Sequence, residues 1–263
     1  MSAIVVLVKH VPDTWSTKSL ESDHTLDRDN TDSIIDEVNE YAVEQALRLK
    51  EADDSLTVIA ATMGPGAADE ALRKALAMGA DDAVRLTDDA LAGSDAIATA
   101  WALNALVNSI ADVELIITGS ASSDGETGVM AGLLSEYRQI PALTAVNELS
   151  KQGSTLTATR IDAHGTYTLE ASTPAIVSVT DKADKPRYPN FKKMKAAKAH
   201  EITVHDAASL GLDTAHVGLA ASATRVNSVA KKPARSAGEV INGTNPQEAA
   251  EKIADFLSAR GLI

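Results

Sequence analysis

With 263 residues and no cysteine, the chain is long enough to bury a core without covalent staples, and disulfide frameworks, thiolate catalysis, Cys-ligated zinc and iron–sulfur clusters are excluded. Its 24 basic and 37 acidic residues leave a formal charge of −13, which repels nucleic acid and anionic membrane wherever no local basic patch intervenes. Aromatic residues make up 3% of a chain that is 44% hydrophobic, so the core is expected to be aliphatic, as buried parallel strands flanked by Ala-rich helices would make it. The opening MSAIVVLVKH is too short to span a membrane and lacks the basic lead and small-residue cleavage site of a signal peptide; the expectation is a cytoplasmic protein that does not insert into membrane.

In chain order, Ile4 to Val8, Leu56 to Ala61, Ala83 to Leu86 and Leu115 to Thr118 are brief apolar runs closed by polar or turn residues and read as strands. Helical spacing fills the gaps. Val38, Ala42, Ala46 and Leu49 share one face between Asp36 and Ala52, and the pattern repeats over Gly66 to Met78 and Ser94 to Ile110, where Ser94 is the expected N-cap. A fourth helix is expected from about Gly125 to Tyr137. Strands alternating with helices predict a doubly wound, mostly parallel α/β sheet with helices on both faces, Rossmann-like in its layering. Thr157, Thr159 and Ile161, then Tyr167, Leu169 and Ala171, alternate around Ala163 to Thr166 and predict a hairpin that extends this sheet or forms a small antiparallel appendage; Ala175 to Val179 follows as another strand. Residues 1–218 are thus expected to form the α/β domain, and 219–263 a C-terminal arm that is polar and irregular until an amphipathic helix over Pro246 to Leu257.

Signatures of catalysis are sparse. The sequence has no HExxH, GxSxG or Walker A motif, and its six histidines are scattered; His200 and His205 read as solvated side chains beside a basic segment. Two glycine turns follow predicted strands, where unpaired N–H groups can bind phosphate. Met63-Gly64-Pro65-Gly66 has Asp69 at the third glycine position of a dinucleotide fingerprint, so a plain turn is the better reading. Gly119 to Gly128, GSASSDGETG, combines small residues, hydroxyls and an expected helix start; a nucleotide site and a polar loop with an Asp N-cap fit it equally. Between Lys182 and Lys198 lie seven of the 24 basic residues and one acid, Asp184. That reversal of sign reads as a nucleic-acid patch, thinly supported by Tyr188 and Phe191 alone, as a solvated face, or as a protein-recognition loop with apolar anchors at Phe191 and Met194.

Seven stretches in order, VLVKHVPD, DEVNEYAVEQALRLKE, GPGAADEALRKALAMGADDAVRL, GSASSDGETGVMAG, the PAIVSV strand, KPRYPNFKKMKAAKA and the late KPARSAG, resemble the β subunit of electron transfer flavoprotein over nearly the whole chain. The resemblance implies a heterodimer with an α subunit that holds most of one FAD, taking electrons from dehydrogenases, notably acyl-CoA dehydrogenases of fatty acid oxidation, to a membrane quinone reductase. The β subunit is then a carrier subunit, not an enzyme, and it holds a structural AMP. In electron-bifurcating members the same pocket holds a second FAD. Thr127 to Met130, Thr-Gly-x-Met, resembles the AMP type. Carried over by position, the pocket comprises Leu7, Asp36, Glu37, Val38 and Asn39, Met63, Gly119, Asp124, Gly125, Glu126 and Thr127; many members have Asn-Pro where this chain has Asp36-Glu37. The recognition segment places Phe191 as the dehydrogenase anchor with Met194 and Lys195 beside it, and the C-terminal arm against the α subunit. Competing classes are a stand-alone adenine-nucleotide protein or enzyme, and an interaction protein without nucleotide.

Overall fold

A computed structural model describes residues 1–234, 238, 240–242 and 245–263. Its elements, in chain order, are β1 (Ser2–Leu7), β2 (His10–Pro12), β3 (Ser33–Ile35), α1 (Glu37–Ala52), β4 (Leu56–Met63), α2 (Asp69–Met78), β5 (Asp82–Leu86), α3 (Ala96–Asn108) and β6 (Val113–Gly119). There follow α4 (Met130–Arg138), β7 (Ala142–Gln152), β8 (Thr155–Asp162), β9 (Gly165–Ser172), β10 (Ala175–Val179), α5 (Phe191–Ala199), β11 (Thr203–His205), α6 (Gly218–Ala221) and α7 (Pro246–Ser258).

Nine strands form one sheet in the order β11-β5-β4-β1-β6-β10-β7-β8-β9. It is parallel from β11 to β7 and antiparallel from β7 to β9. The central strands β1 and β10 show why this sequence makes buried parallel sheet. In β1, Ile4 and Val6 pack into a cluster with Ala42, Val43 and Ala46 of α1 and Leu72 and Ala75 of α2. Val5 and Leu7 pack on the opposite face with Ala98, Ala102 and Leu106 of α3 and Leu134 of α4. A strand covered on both sides has no room for regular polar alternation, which is why these segments read as short apolar runs rich in Val and Ile. The expected doubly wound α/β architecture is the observed one. The hairpin joins this sheet as its antiparallel edge, since β10 inserts between β6 and β7 and leaves β8 and β9 outermost.

Three local expectations are corrected. Asp95, not Ser94, caps α3: its carboxylate accepts from Ala98 N–H at 3.0 Å, while the Ser94 hydroxyl accepts from Gly218 N–H at 2.7 Å. The fourth helix begins at Met130, not near Gly125, because Glu126 and Gly128 adopt φ of 49° and 63° and interrupt the right-handed path. The end of the basic segment is helix, not loop: Asn190 accepts from Lys193 N–H at 2.9 Å and caps α5, whose Ala and Lys residues favour helix.

Two compact units are present, Met1–Val226 and Asn227–Ile263. The second carries α7, capped by Asn245 with Pro246 in its first turn. Along it Ile253 and Phe256 are exposed. Of the KPARSAG stretch, Arg235, Ser236 and Ala237 lie outside the described residues. No helix among the described residues is long and apolar enough to cross a membrane.

Candidate functional site

The strand order reverses at β1. From there the chain steps outward through β4 and β5, then crosses back by α3 to β6 on the other side. In open α/β sheets the crevice at the carboxyl ends of such strands is where ligands bind. Leu7, Met63 and Gly119 are the last residues of β1, β4 and β6, so three of the sequence-derived positions mark this edge.

A fourth group arrives on α1. Asp36 is buried and caps the helix, one carboxylate oxygen accepting from Val38 N–H at 3.4 Å; the other accepts from Ser123 N–H at 2.7 Å, which ties the loop after β6 to the helix start. Asn39, also buried, accepts from Lys9 N–H at 2.8 Å, and the Lys9 carbonyl accepts from Asp36 N–H at 2.9 Å. Gly119 lies so close to this turn that a Cβ there would stand 2.5 Å from Val38 Cγ1 and 2.8 Å from Asn39 Nδ2. Only glycine lets β6 and α1 approach this way.

Lys9 completes the arrangement, and sequence reading missed it. Its ammonium donates to Asp124 at 2.6 Å and to the Ser122 hydroxyl at 3.3 Å, while Arg28 Nη2 stands 3.9 Å from the other Asp124 oxygen. Burial would raise the Asp124 carboxyl, whose side chain is 13% exposed, but Lys9, the Ser122 hydroxyl and Arg28 together outweigh that and hold it below the usual carboxylate range. The available signal was position: Lys9 follows β1 at the switch point, where a cation faces whatever the next loops bring.

The remaining positions are less engaged. Leu7 is buried in the cluster beneath α3 and α4, with Met63 partly buried against it. Glu37 is exposed, and Gly125, Glu126 and Thr127 form the exposed crest of the loop. The N–H groups of Asp124, Gly125 and Thr127 meet no protein acceptor among the described residues. These features fit a nucleotide phosphate. Its approach meets small residues and free N–H donors, and the nearby carboxylates Asp36 and Asp124 are already occupied, one by Ser123 and one by Lys9. No cluster of three or more His, Cys, Asp or Glu residues among those described could hold a metal ion.

A family model for the electron transfer flavoprotein domain matches residues 23–210. The electron transfer flavoprotein subunit beta of Mycobacterium leprae is 45% identical over 268 aligned positions that span all of both chains. The chain belongs to the electron transfer flavoprotein family, as a β subunit. The Mycobacterium tuberculosis subunit beta is 44% identical over the whole of both chains, and subunit CarD of the caffeyl-CoA reductase-Etf complex of Acetobacterium woodii is 31% identical over 99% of each. The work of such an electron transfer flavoprotein β subunit is electron transfer.

A second surface of this β subunit lies on α5. Phe191, Met194 and Lys195 stand at spacings of three and four residues, which puts them on one helix face; Phe191 is 80% exposed. The other face is anchored. Ala197 is buried, its carbonyl accepts from Arg73 at 2.7 Å, and the Lys193 ammonium donates to the Met78 carbonyl at the end of α2. Upstream, the Arg187 guanidinium is held by Glu44 and Glu51 of α1; their hydrogen bonds raise it above the ordinary guanidinium range and lower Glu51. The segment is therefore a fixed platform that presents an apolar side chain, and part of the basic charge seen in the sequence is spent holding it down.

Proposed function

We propose that this β subunit pairs with an α subunit that holds most of the FAD, keeps AMP at the carboxyl edge of its sheet, and docks donor dehydrogenases through α5. It supplies no reacting group of its own and acts as a carrier subunit rather than an enzyme. The observation that supports the reading is the pair of contacts Asp36–Ser123 and Lys9–Asp124 at the switch-point edge, which tie the loop after β6 to the start of α1 and to the residue after β1. Asp36, Val38 and Asn39 from α1 and Gly119 and Asp124 to Thr127 from the loop would hold AMP there, with Leu7 and Met63 at the strand ends. AMP is a structural ligand in this role, a strut between helix and loop. The Thr-Gly-x-Met sequence of Thr127 to Met130 favours AMP over the second FAD of bifurcating members.

Docking follows the same economy. Phe191 offers an apolar plug for acyl-CoA dehydrogenases, flanked by Met194 and Lys195 on a rigid helix, so a modest interface can be specific while the flavin-bearing part of the α subunit stays free to move toward its donor and toward a quinone reductase. The exposed Ile253 and Phe256 of α7 support a clasp on the α subunit, since an unpartnered apolar stripe is what a partner chain covers. Co-expression with the α subunit should yield a yellow one-to-one complex that an acyl-CoA dehydrogenase reduces. A colourless chain that ignores both would overturn the reading.

A further inference from the structure

The last carbonyls of α5 have no capping turn to take them, because the chain leaves that helix through His200 in extended conformation, at φ −68° and ψ 132°. Such carbonyls need donors from elsewhere. Arg73, in the middle of α2, supplies one: its Nη1 donates to the Ala197 carbonyl at 2.7 Å, with the carbonyls of Lys198 and His200 at 3.3 and 3.4 Å around it. The converse holds at the end of α2. There the Met78 carbonyl accepts from the Lys193 ammonium at 3.3 Å, and Gly79, at φ 139°, leaves the space for it, since a Cβ on that residue would stand 2.8 Å from Lys193 Nζ. Each helix thus supplies the cation that caps the C-terminus of the other, where a positive charge also meets the negative end of the helix dipole.

Apolar burial does little to hold α5. Ala197 is the one buried residue of this nine-residue helix, its side chain offers little area, and a helix so short is marginal without tertiary support. The crossed caps therefore carry much of its orientation. Lys193 and Ala197, four positions apart, share the face toward α2, while Phe191, Met194 and Lys195 share another. The basic residues of the segment accordingly divide: Lys193 is turned to the fold, and Lys195 stands beside Phe191 on the outward face. A helix fixed before a partner arrives spends less conformational entropy on binding than one that must be ordered during docking.

We propose that Arg73 and Lys193 are positioning residues for docking, which hold α5 on α2 by their crossed caps and so fix the direction in which Phe191 stands. This rests on the reading of α5 as the docking surface. The test takes Arg73→Met, Lys193→Met and the double variant through two measurements. In amide hydrogen exchange of the intact chain, α5 should exchange at least about tenfold faster in the double variant, while β1 and β4 keep the parent rates and so report an intact fold. In the complex with the α subunit, the concentration giving half-maximal reduction by an acyl-CoA dehydrogenase should rise about tenfold, with the limiting rate and the bound FAD unchanged. Lys193→Arg keeps a cationic donor and should behave as the parent. The effect of Arg73→Met should persist at about 0.5 M salt, where a lost charge contact with the partner would be screened away. Unchanged exchange in α5 would overturn the proposal, and so would faster exchange with an unmoved half-maximal concentration when Phe191→Ala does raise it. Phe191→Ala without effect on reduction would overturn the docking reading, and the proposal with it.

Discussion

Asp36 and Ser123, 87 positions apart, are joined by a 2.7 Å hydrogen bond in which the helix-capping carboxylate of one accepts the backbone N–H of the other. One side chain thus starts α1 and fixes the loop after β6. Asp36→Ala removes both functions, and about 1–3 kcal/mol of stability should be lost in urea denaturation. AMP retention should fall further than stability does, since the loop is released from the helix. Asp36→Asn keeps a single acceptor and should lie between.

Gly119→Ala tests how tightly β6 and α1 approach. The added methyl would lie 2.5 Å from Val38 Cγ1, and the overpacking should cost about 1–3 kcal/mol. Val38→Ala in the same chain makes room and should recover much of the loss; an unaltered melting temperature in the single variant would show that the contact is slack.

The Lys9–Asp124 pair predicts a pH signature. Asp124 is held below its ordinary range when folded, so its contribution is complete above the unfolded carboxyl value of about 3.9 and fades as pH falls through the lower folded value. Other depressed carboxylates, Asp27 and Asp53 among them, also lose their contribution in acid, so the informative quantity is a difference. The stability gap between the parent chain and Lys9→Met should be widest near neutrality and shrink below about pH 4. A gap independent of pH would show that the ammonium contributes packing alone.

The fold was legible where physics acts locally. β1 and β10 are rich in Val and Ile because both faces are buried, and the Asp36 cap and helical spacing announce α1. The start of α4 was not legible, because the left-handed backbone at Glu126 and Gly128 depends on how the loop is pinned, not on the local residue types. Lys9 was missed for a related reason. Its partner Asp124 is 115 positions away, and nothing next to a lysine at a strand end reports such a contact. Likewise the sign reversal between Lys182 and Lys198 left three readings open, because nothing local reports that Glu44 and Glu51 bind Arg187 from a distant helix.

That anchor gives a test of the docking platform. Glu44 is buried, so Arg187→Ala strands a carboxylate and should cost about 3 kcal/mol; Glu44→Gln added to it should restore a large part. Phe191→Ala, by contrast, removes an exposed ring and should change stability by less than about 0.5 kcal/mol. In the complex with the α subunit it should slow reduction by an acyl-CoA dehydrogenase while FAD stays bound. Flavin loss with normal docking would place Phe191 in the cofactor site instead.

The central claim, an adenylate held between α1 and the loop after β6, is tested most directly by denaturing the purified two-subunit complex and identifying the released nucleotides by chromatography. AMP and FAD in equal amounts are the predicted result. FAD alone, at one or two per complex and with no AMP, would contradict it.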